Sequence, residues 1–82
     1  MSALQVLEKF MLDDIAAGLS RVSFEGDENL LDKGIIDSLG IMKLIIFIED
    51  TFKIKVDDAE IVPENFQSLN NMVHFVQQKG AE

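Results

Sequence analysis

Cysteine is absent from the 82 residues of this chain, so no disulfide bond and no thiolate metal site can hold the fold together. Histidine is nearly absent as well. His74 is the single copy, it lies off the apolar side of its predicted helix, and we expect it on the surface. No histidine cluster for zinc, no glycine-rich phosphate loop and no base that would activate a serine are visible. We therefore expect a protein that is not an enzyme. Its 48% of hydrophobic residues supply a core instead.

Basic residues are also scarce. The chain has seven Lys and Arg residues and fifteen Asp and Glu residues, which gives a net charge of −8. Nucleic acids and anionic membrane surfaces both attract Lys and Arg, so we expect neither as a partner. A protein with a basic surface fits better, because opposite potentials steer an encounter.

We expect neither a membrane-spanning run nor a signal peptide. Its apolar segments are far shorter than the roughly 20 residues that a bilayer-spanning helix needs, and its N-terminal segment has Glu8 but no basic lead-in. We therefore expect a cytoplasmic monomer.

The length predicts one domain, residues 1–82, near the small end of what folds alone. The start at Met1 favours a complete chain.

Three segments have apolar residues at helical spacing, and each predicts a helix with one buried side. The helices are expected at residues 3–19, from residue 37 or 38 to about 52, and from residues 66–68 to 78. The expected core residues, in chain order, are Leu4, Leu7, Met11, Ile15 and Leu19, then Ile41, Leu44, Ile45, Ile48 and Phe52, and finally Leu69, Met72, Val73 and Val76.

The segments between these helices also have structural signals. Residues 20–36 contain too many apolar groups for a free linker, so we expect a loop pinned onto the core. Asp57 and Asp58 can cap a short helical turn at residues 59–62. Pro63 would end that turn, because the residue before a proline avoids the α region. The sequence thus predicts an all-α bundle with three longer helices and one short third helix.

The acids of the first loop do not match a calcium-binding loop. Such a loop needs acids at positions 1, 3 and 5, glycine at 6 and glutamate at 12. Counting from Asp27 puts Leu31 at position 5, Asp32 at position 6 and Ser38 at position 12. We expect no metal site.

The second helix is more apolar than one buried side requires, since Lys43 is the only polar residue between Ile41 and Ile48. At about 100° per residue, three apolar residues fall outside the core side, on the side of Ser38. We call them the second apolar patch: Leu39, Met42 and Ile46. Either they are the ordinary exposed apolar residues of a small protein, or they bind several partners.

Asp37-Ser38-Leu39 at a helix start resembles the attachment motif of the acyl carrier protein family. The resemblance covers nearly the whole chain, including the loop NLLDKGIIDSLG, the helix IMKLIIFIEDTFKIKV and the tail ENFQSLNNMVHFVQQK. It implies a four-helix bundle that does no chemistry itself. It also implies a 4′-phosphopantetheine arm, joined to Ser38 through a phosphodiester, that holds an acyl group as a thioester.

The same resemblance implies partners. A phosphopantetheinyl transferase would install the arm, with Asp37 helping that enzyme to hold metal and substrate. Enzymes that load or use the acyl group would dock through basic surfaces. The residues expected to meet them are Leu39, Met42, Lys43, Ile46, Glu49 and Asp50.

Gly40 and Lys43 depart from the carriers of fatty-acid synthesis, which usually have an acid two residues after the serine and a glutamate five after it. Because a reversed rim charge changes partner choice more than fold, we expect a specialised stand-alone carrier for lipid or secondary metabolism, such as fatty-acid or polyketide biosynthesis. Asp-Ser-Leu-Gly also resembles stand-alone carriers of aminoacyl or peptidyl groups, including those that load D-alanine. A third possibility is a small acidic helical adaptor, in which Ser38 is only a helix cap.

Overall fold

The computed structural model describes residues 2–16, 18 and 23–80, and all regular structure in that part of the chain is helical. The α-helices are α1 (Ala3–Phe10), α2 (Ser38–Phe52), α3 (Pro63–Phe66) and α4 (Leu69–Gln78). A π-helical turn, Met11–Ile15, continues α1, and a 3₁₀ turn, Asp58–Glu60, precedes α3. The expected all-α fold with three longer helices and a short third one is confirmed.

The first helical segment begins at a reciprocal cap. Ser2 Oγ accepts the Gln5 backbone N–H at 3.2 Å, and Gln5 Oε1 accepts the Ser2 backbone N–H at 3.0 Å. The helical segment is described as far as Ile15. Leu19, the expected last residue, lies outside the described part.

One of the core residues expected in the first helix was assigned wrongly. Leu4 is 39% exposed, and Ala3 is buried instead. Leu7 and Met11 are fully buried and set the direction of the core. Both Ala3 and Leu4 lie about one helical turn before Leu7, so spacing alone does not choose between them.

The second helix runs from Ser38 to Phe52, as expected, and ends in a left-handed turn at Lys53, whose φ is 58°. Leu44 and Ile48 are fully buried, and Ile45 is nearly so. Ile41 and Phe52 are half-buried against the same core. The core side assigned from the sequence is therefore confirmed.

The last helix follows the Ser68 cap, whose Oγ accepts the Asn71 backbone N–H at 3.2 Å. It begins at Leu69, one residue after the expected range of 66–68, and its expected end at Gln78 is confirmed. It packs against α1 and α3. The expected core residues are confirmed as buried or half-buried, and Phe75, which was not expected there, is also buried: Leu69, Met72, Val73, Phe75 and Val76.

The described part of the first loop, residues 23–36, is held on the core as expected. Phe24, Leu30 and Ile36 are buried, and the Leu30 backbone N–H donates to the Gln67 carbonyl at 2.6 Å. An acid of this loop is buried too. The Glu28 side chain is only 3% exposed, and its Oε2 lies 3.0 Å from Lys33 Nζ.

The role expected for Pro63 is wrong, because this residue begins a helix and does not end one. Val62 is extended, with φ −130° and ψ 155°, as the residue before a proline prefers. Pro63 then occupies the first position of α3, where a missing N–H costs no hydrogen bond. The short turn expected at residues 59–62 is the 3₁₀ turn at Asp58–Glu60.

Glu60 connects this short turn to Lys79, which follows α4. Its Oε1 accepts the Asp57 backbone N–H at 2.9 Å and lies 2.9 Å from Lys79 Nζ. The backbone hydrogen bond, together with the Lys79 ammonium, lowers the pKa of Glu60. Residues 61–63, which follow, line a groove together with the start of α2. In the described part of the chain, no helix has the length and apolar character needed to cross a membrane.

Two isoleucines of α2 test the orientation of this helix. Ile48 is fully buried, whereas Ile46 is 65% exposed. Replacing Ile48 with Ala should lower the free energy of unfolding by about 2–5 kcal/mol, because a cavity remains. The same change at Ile46 should cost less than about 1 kcal/mol, because no cavity forms. Urea denaturation followed by circular dichroism measures both values, and equal losses would contradict the described orientation.

Candidate functional site

The cap of α2 is Asp37. Its backbone is extended, with φ −109° and ψ −170°, and its Oδ1 accepts the Gly40 backbone N–H at 2.8 Å. This carboxylate satisfies one of the N–H groups that every helix start leaves unpaired. The capping role is therefore filled before Ser38 is reached.

Ser38 is the first residue of α2, and its side chain is exposed. Its hydroxyl makes no hydrogen bond to any residue in the described part of the chain. The interpretation of Ser38 as a helix cap is thus wrong. The alternative of a small helical adaptor depended on that interpretation and no longer explains this serine. What the geometry presents is a free hydroxyl at the positive end of a 15-residue helix dipole.

Gly40 lies against the cap. A Cβ atom added there would stand 3.4 Å from both Asp37 Oδ1 and Ile36 Cγ2, and 3.6 Å from Ile15 Cγ2. The residue is also buried. These are ordinary van der Waals distances, so the start of α2 packs directly against the first loop and the π-turn.

A groove of about 570 Å³ opens beside Ser38, and we call it the Ser38 groove. Asp37 and Ser38 form its polar end, and its walls come from the first loop, from α2 and from the segment before α3. The remaining lining residues are Leu31, Ile36, Ile41, Met42, Ile61, Val62 and Pro63. Such a groove can cover an apolar or amide-containing arm that leaves from Ser38.

The second apolar patch is exposed, as its spacing predicted. The exposed fractions are 65% for Leu39, 58% for Met42 and 65% for Ile46. The three side chains follow one another along α2 from the residue next to Ser38. A protein docked on this patch would therefore have Ser38 at its edge.

The charged residues of α2 differ in what they contact. Lys43 Nζ lies 3.4 Å from Asp14 Oδ1 on the π-turn, with both side chains about half exposed. Glu49 is half-buried, and its Oε2 accepts the Val56 backbone N–H at 2.8 Å. Asp50 is exposed. Glu49 therefore holds the chain after α2, while Lys43 and Asp50 remain accessible.

Asp14 is missing from the residues expected at the site. Its contact with Lys43 joins positions 29 residues apart, and no local pattern in the sequence links them. Asp37 was expected there, but its capping hydrogen bond to Gly40 was not.

These features suit a phosphate ester. An exposed serine hydroxyl lies at the start of a long helix, where backbone N–H groups and the helix dipole favour a negative group. The Ser38 groove gives the rest of such a group an apolar wall. The family model described as "Phosphopantetheine attachment site" matches residues 13–76.

The chain belongs to this phosphopantetheine-binding family. Its cofactor is a covalently attached 4′-phosphopantetheine, and the chain is a carrier that is not itself an enzyme. The match spans the π-turn, the first loop, α2 and most of α4. It thus includes every residue described above for the site.

Several relatives of this phosphopantetheine-binding chain are named D-alanyl carrier protein. The D-alanyl carrier protein of Streptococcus uberis is 40% identical over 52 residues, which cover 63% of this chain and 66% of the relative. The D-alanyl carrier proteins of Streptococcus pyogenes serotypes M5 and M1 are 27% identical over 77 residues, which cover 94% of this chain and 89% of the relatives.

Adjacent substitutions distinguish the cap from the exposed serine. Replacing Asp37 with Ala should lower the free energy of unfolding by about 0.5–2 kcal/mol, because a capping acceptor is lost. Replacing Asp37 with Asn, which keeps an acceptor, should cost less. Replacing Ser38 with Ala should change stability by no more than about 0.5 kcal/mol. Urea titration of the three variants provides the comparison, and a larger loss at Ser38 than at Asp37 would show that the serine is the cap.

Proposed function

We propose that Ser38 is the attachment residue and that the chain is a stand-alone aminoacyl carrier of the D-alanyl type. The observation that carries the first part is the exposed Ser38 hydroxyl, which is not needed as a helix cap because Asp37 is the cap. The relatives named as D-alanyl carrier proteins support the second part. They favour the aminoacyl alternative over the acyl carrier for lipid or secondary metabolism that the apolar composition suggested.

The chain's own residues have simple tasks in this function. Asp37 fixes the first turn of α2, so that Ser38 is held outward while a phosphopantetheinyl transferase acts on its Oγ. The helix start stabilises the phosphodiester that results. The terminal thiol of the attached arm holds the cargo as a thioester. Asp37 also lies next to Ser38, where the transferase can use its carboxylate for recognition.

Partners dock on α2 in this proposal. The second apolar patch supplies contact area beside Ser38, and Asp50 supplies an exposed acid at the far end. The net charge of −8 favours enzymes with basic docking surfaces. Glu49 was expected among the partner residues. Its hydrogen bond to Val56 directs that carboxylate toward the backbone, so we assign it the weakest part in docking.

A second candidate function is supported by the Ser38 groove. Its walls are apolar, with Ile41, Met42, Ile61 and Val62 among them. Such walls would also shelter a short fatty acyl group, because burial of apolar surface is favourable. This keeps an acyl cargo as the alternative to an aminoacyl cargo.

Attachment at Ser38 can be read from intact mass. With coenzyme A and a broad-specificity phosphopantetheinyl transferase, the mass should rise by one phosphopantetheine, about 340 Da. Ser38→Ala should abolish the rise. Thr51→Ala, which removes an exposed hydroxyl from the same helix, should retain it. A rise that persists in Ser38→Ala would place the arm on another residue.

The cargo is tested on the phosphopantetheinylated protein. A D-alanine-activating ligase with ATP should charge it at least about tenfold faster than an acyl-activating ligase does, a difference of about 1.4 kcal/mol in barrier. Intact mass shows the added group, and its loss with hydroxylamine shows a thioester. Faster charging with a fatty acid than with D-alanine would overturn the aminoacyl function while leaving the carrier function intact.

A further inference from the structure

Two contacts align the first helical segment with α2. The rings of Phe10 and Phe47 stack with their centroids 4.1 Å apart and their planes 13° from parallel. The second contact is the ion pair between Asp14 and Lys43, at 3.4 Å. In each segment the two residues are four apart and share one face. Going from Phe10 to Asp14 along the first segment, the partner on α2 changes from Phe47 back to Lys43. The two segments are therefore antiparallel here.

The ion pair lies at the edge of the second apolar patch. Lys43 follows Met42 directly and comes three residues before Ile46. It lines one groove with Leu39, of about 180 Å³, and another with Ile46 and Asp50, of about 390 Å³. Any protein that covers the patch therefore comes close to the Lys43 ammonium.

Lys43 is the only cation in α2, and the whole chain carries a net charge of −8. A basic partner attracted by the whole chain would meet a like charge at this one position. The Asp14 carboxylate opposes that charge from the π-turn. Because both side chains are about half exposed, the pair contributes little to the stability of the fold.

We propose that Asp14 is a specificity-determining residue, which neutralises Lys43 and so lets enzymes with basic docking surfaces approach the second apolar patch. This inference depends on the proposed carrier function, in which partners dock on α2. Asp14 acts through Lys43 and does not touch the attachment site. Without Asp14, Lys43 would repel a basic surface at short range.

Asp13 provides a matched control. It is exposed, and it forms an ion pair with Lys9 at 2.9 Å on the first helical segment. Asp13→Asn and Asp14→Asn remove the same charge and each release one lysine. They differ in whether that lysine borders the second apolar patch. The total charge is thus equal in the two variants, and only the position of the freed cation changes.

The experiment uses a phosphopantetheinyl transferase and coenzyme A, with the rate of modification of the full chain followed by intact mass at low and high salt. Asp14→Asn should lower kcat/KM about three- to fivefold at low salt, through KM, and less at high salt. Asp13→Asn should change it by less than about 1.5-fold. Lys43→Gln combined with Asp14→Asn should restore the rate, as coupled residues do.

The outcomes separate the two proposals. Failure of the transferase to modify the wild-type chain would overturn the carrier function and this inference together. Normal modification with equal rates for Asp14→Asn and Asp13→Asn would overturn this inference alone. So would a wild-type rate that does not fall with salt, since the docking surface would then not be basic. Circular dichroism melts confirm that each variant is folded.

Discussion

The hydrogen bond from the Gly40 backbone N–H to Asp37 Oδ1 is the constraint on which the site depends. It fixes where α2 begins, and at about 100° per residue the start of a helix determines which side each later residue faces. With this start, Leu44 and Ile48 enter the core. The same bond leaves the Ser38 hydroxyl unused by the fold, which an attachment residue requires.

The sequence was most informative about α2. Its start, its end and its two apolar sides followed from a capping acid and from helical spacing, both of which are local properties. The confirmation reaches single residues, since Ile46 is exposed and Ile48 is buried as their spacing predicted. Local rules predict well here because α2 is long and strongly apolar.

Errors arose where one local rule allows two structures. Val62 avoids the α region before Pro63, which fits a helix that ends there as well as a helix that starts there. Leu4 and Ala3 both have plausible helical spacing relative to Leu7, and only the direction of the core decides between them.

Contacts between distant residues were beyond the reach of sequence patterns. The hydrogen bond from Val56 to Glu49 and the ion pair between Asp14 and Lys43 both depend on how helices and loops come together. They give different roles to three charged residues that the sequence analysis had placed together among the partner-binding residues. Glu49 stabilises the backbone, Lys43 is neutralised, and Asp50 remains an exposed acid.

The same contacts bear on how a partner is bound. A carboxylate accepts a backbone N–H at the start of α2 and another near its end: Asp37 accepts from Gly40, and Glu49 accepts from Val56. A surface fixed in this way is preorganised, so docking orders few additional groups and loses little conformational entropy. A carrier that must meet several enzymes in turn benefits from such a surface, because each complex forms without first rebuilding the helix.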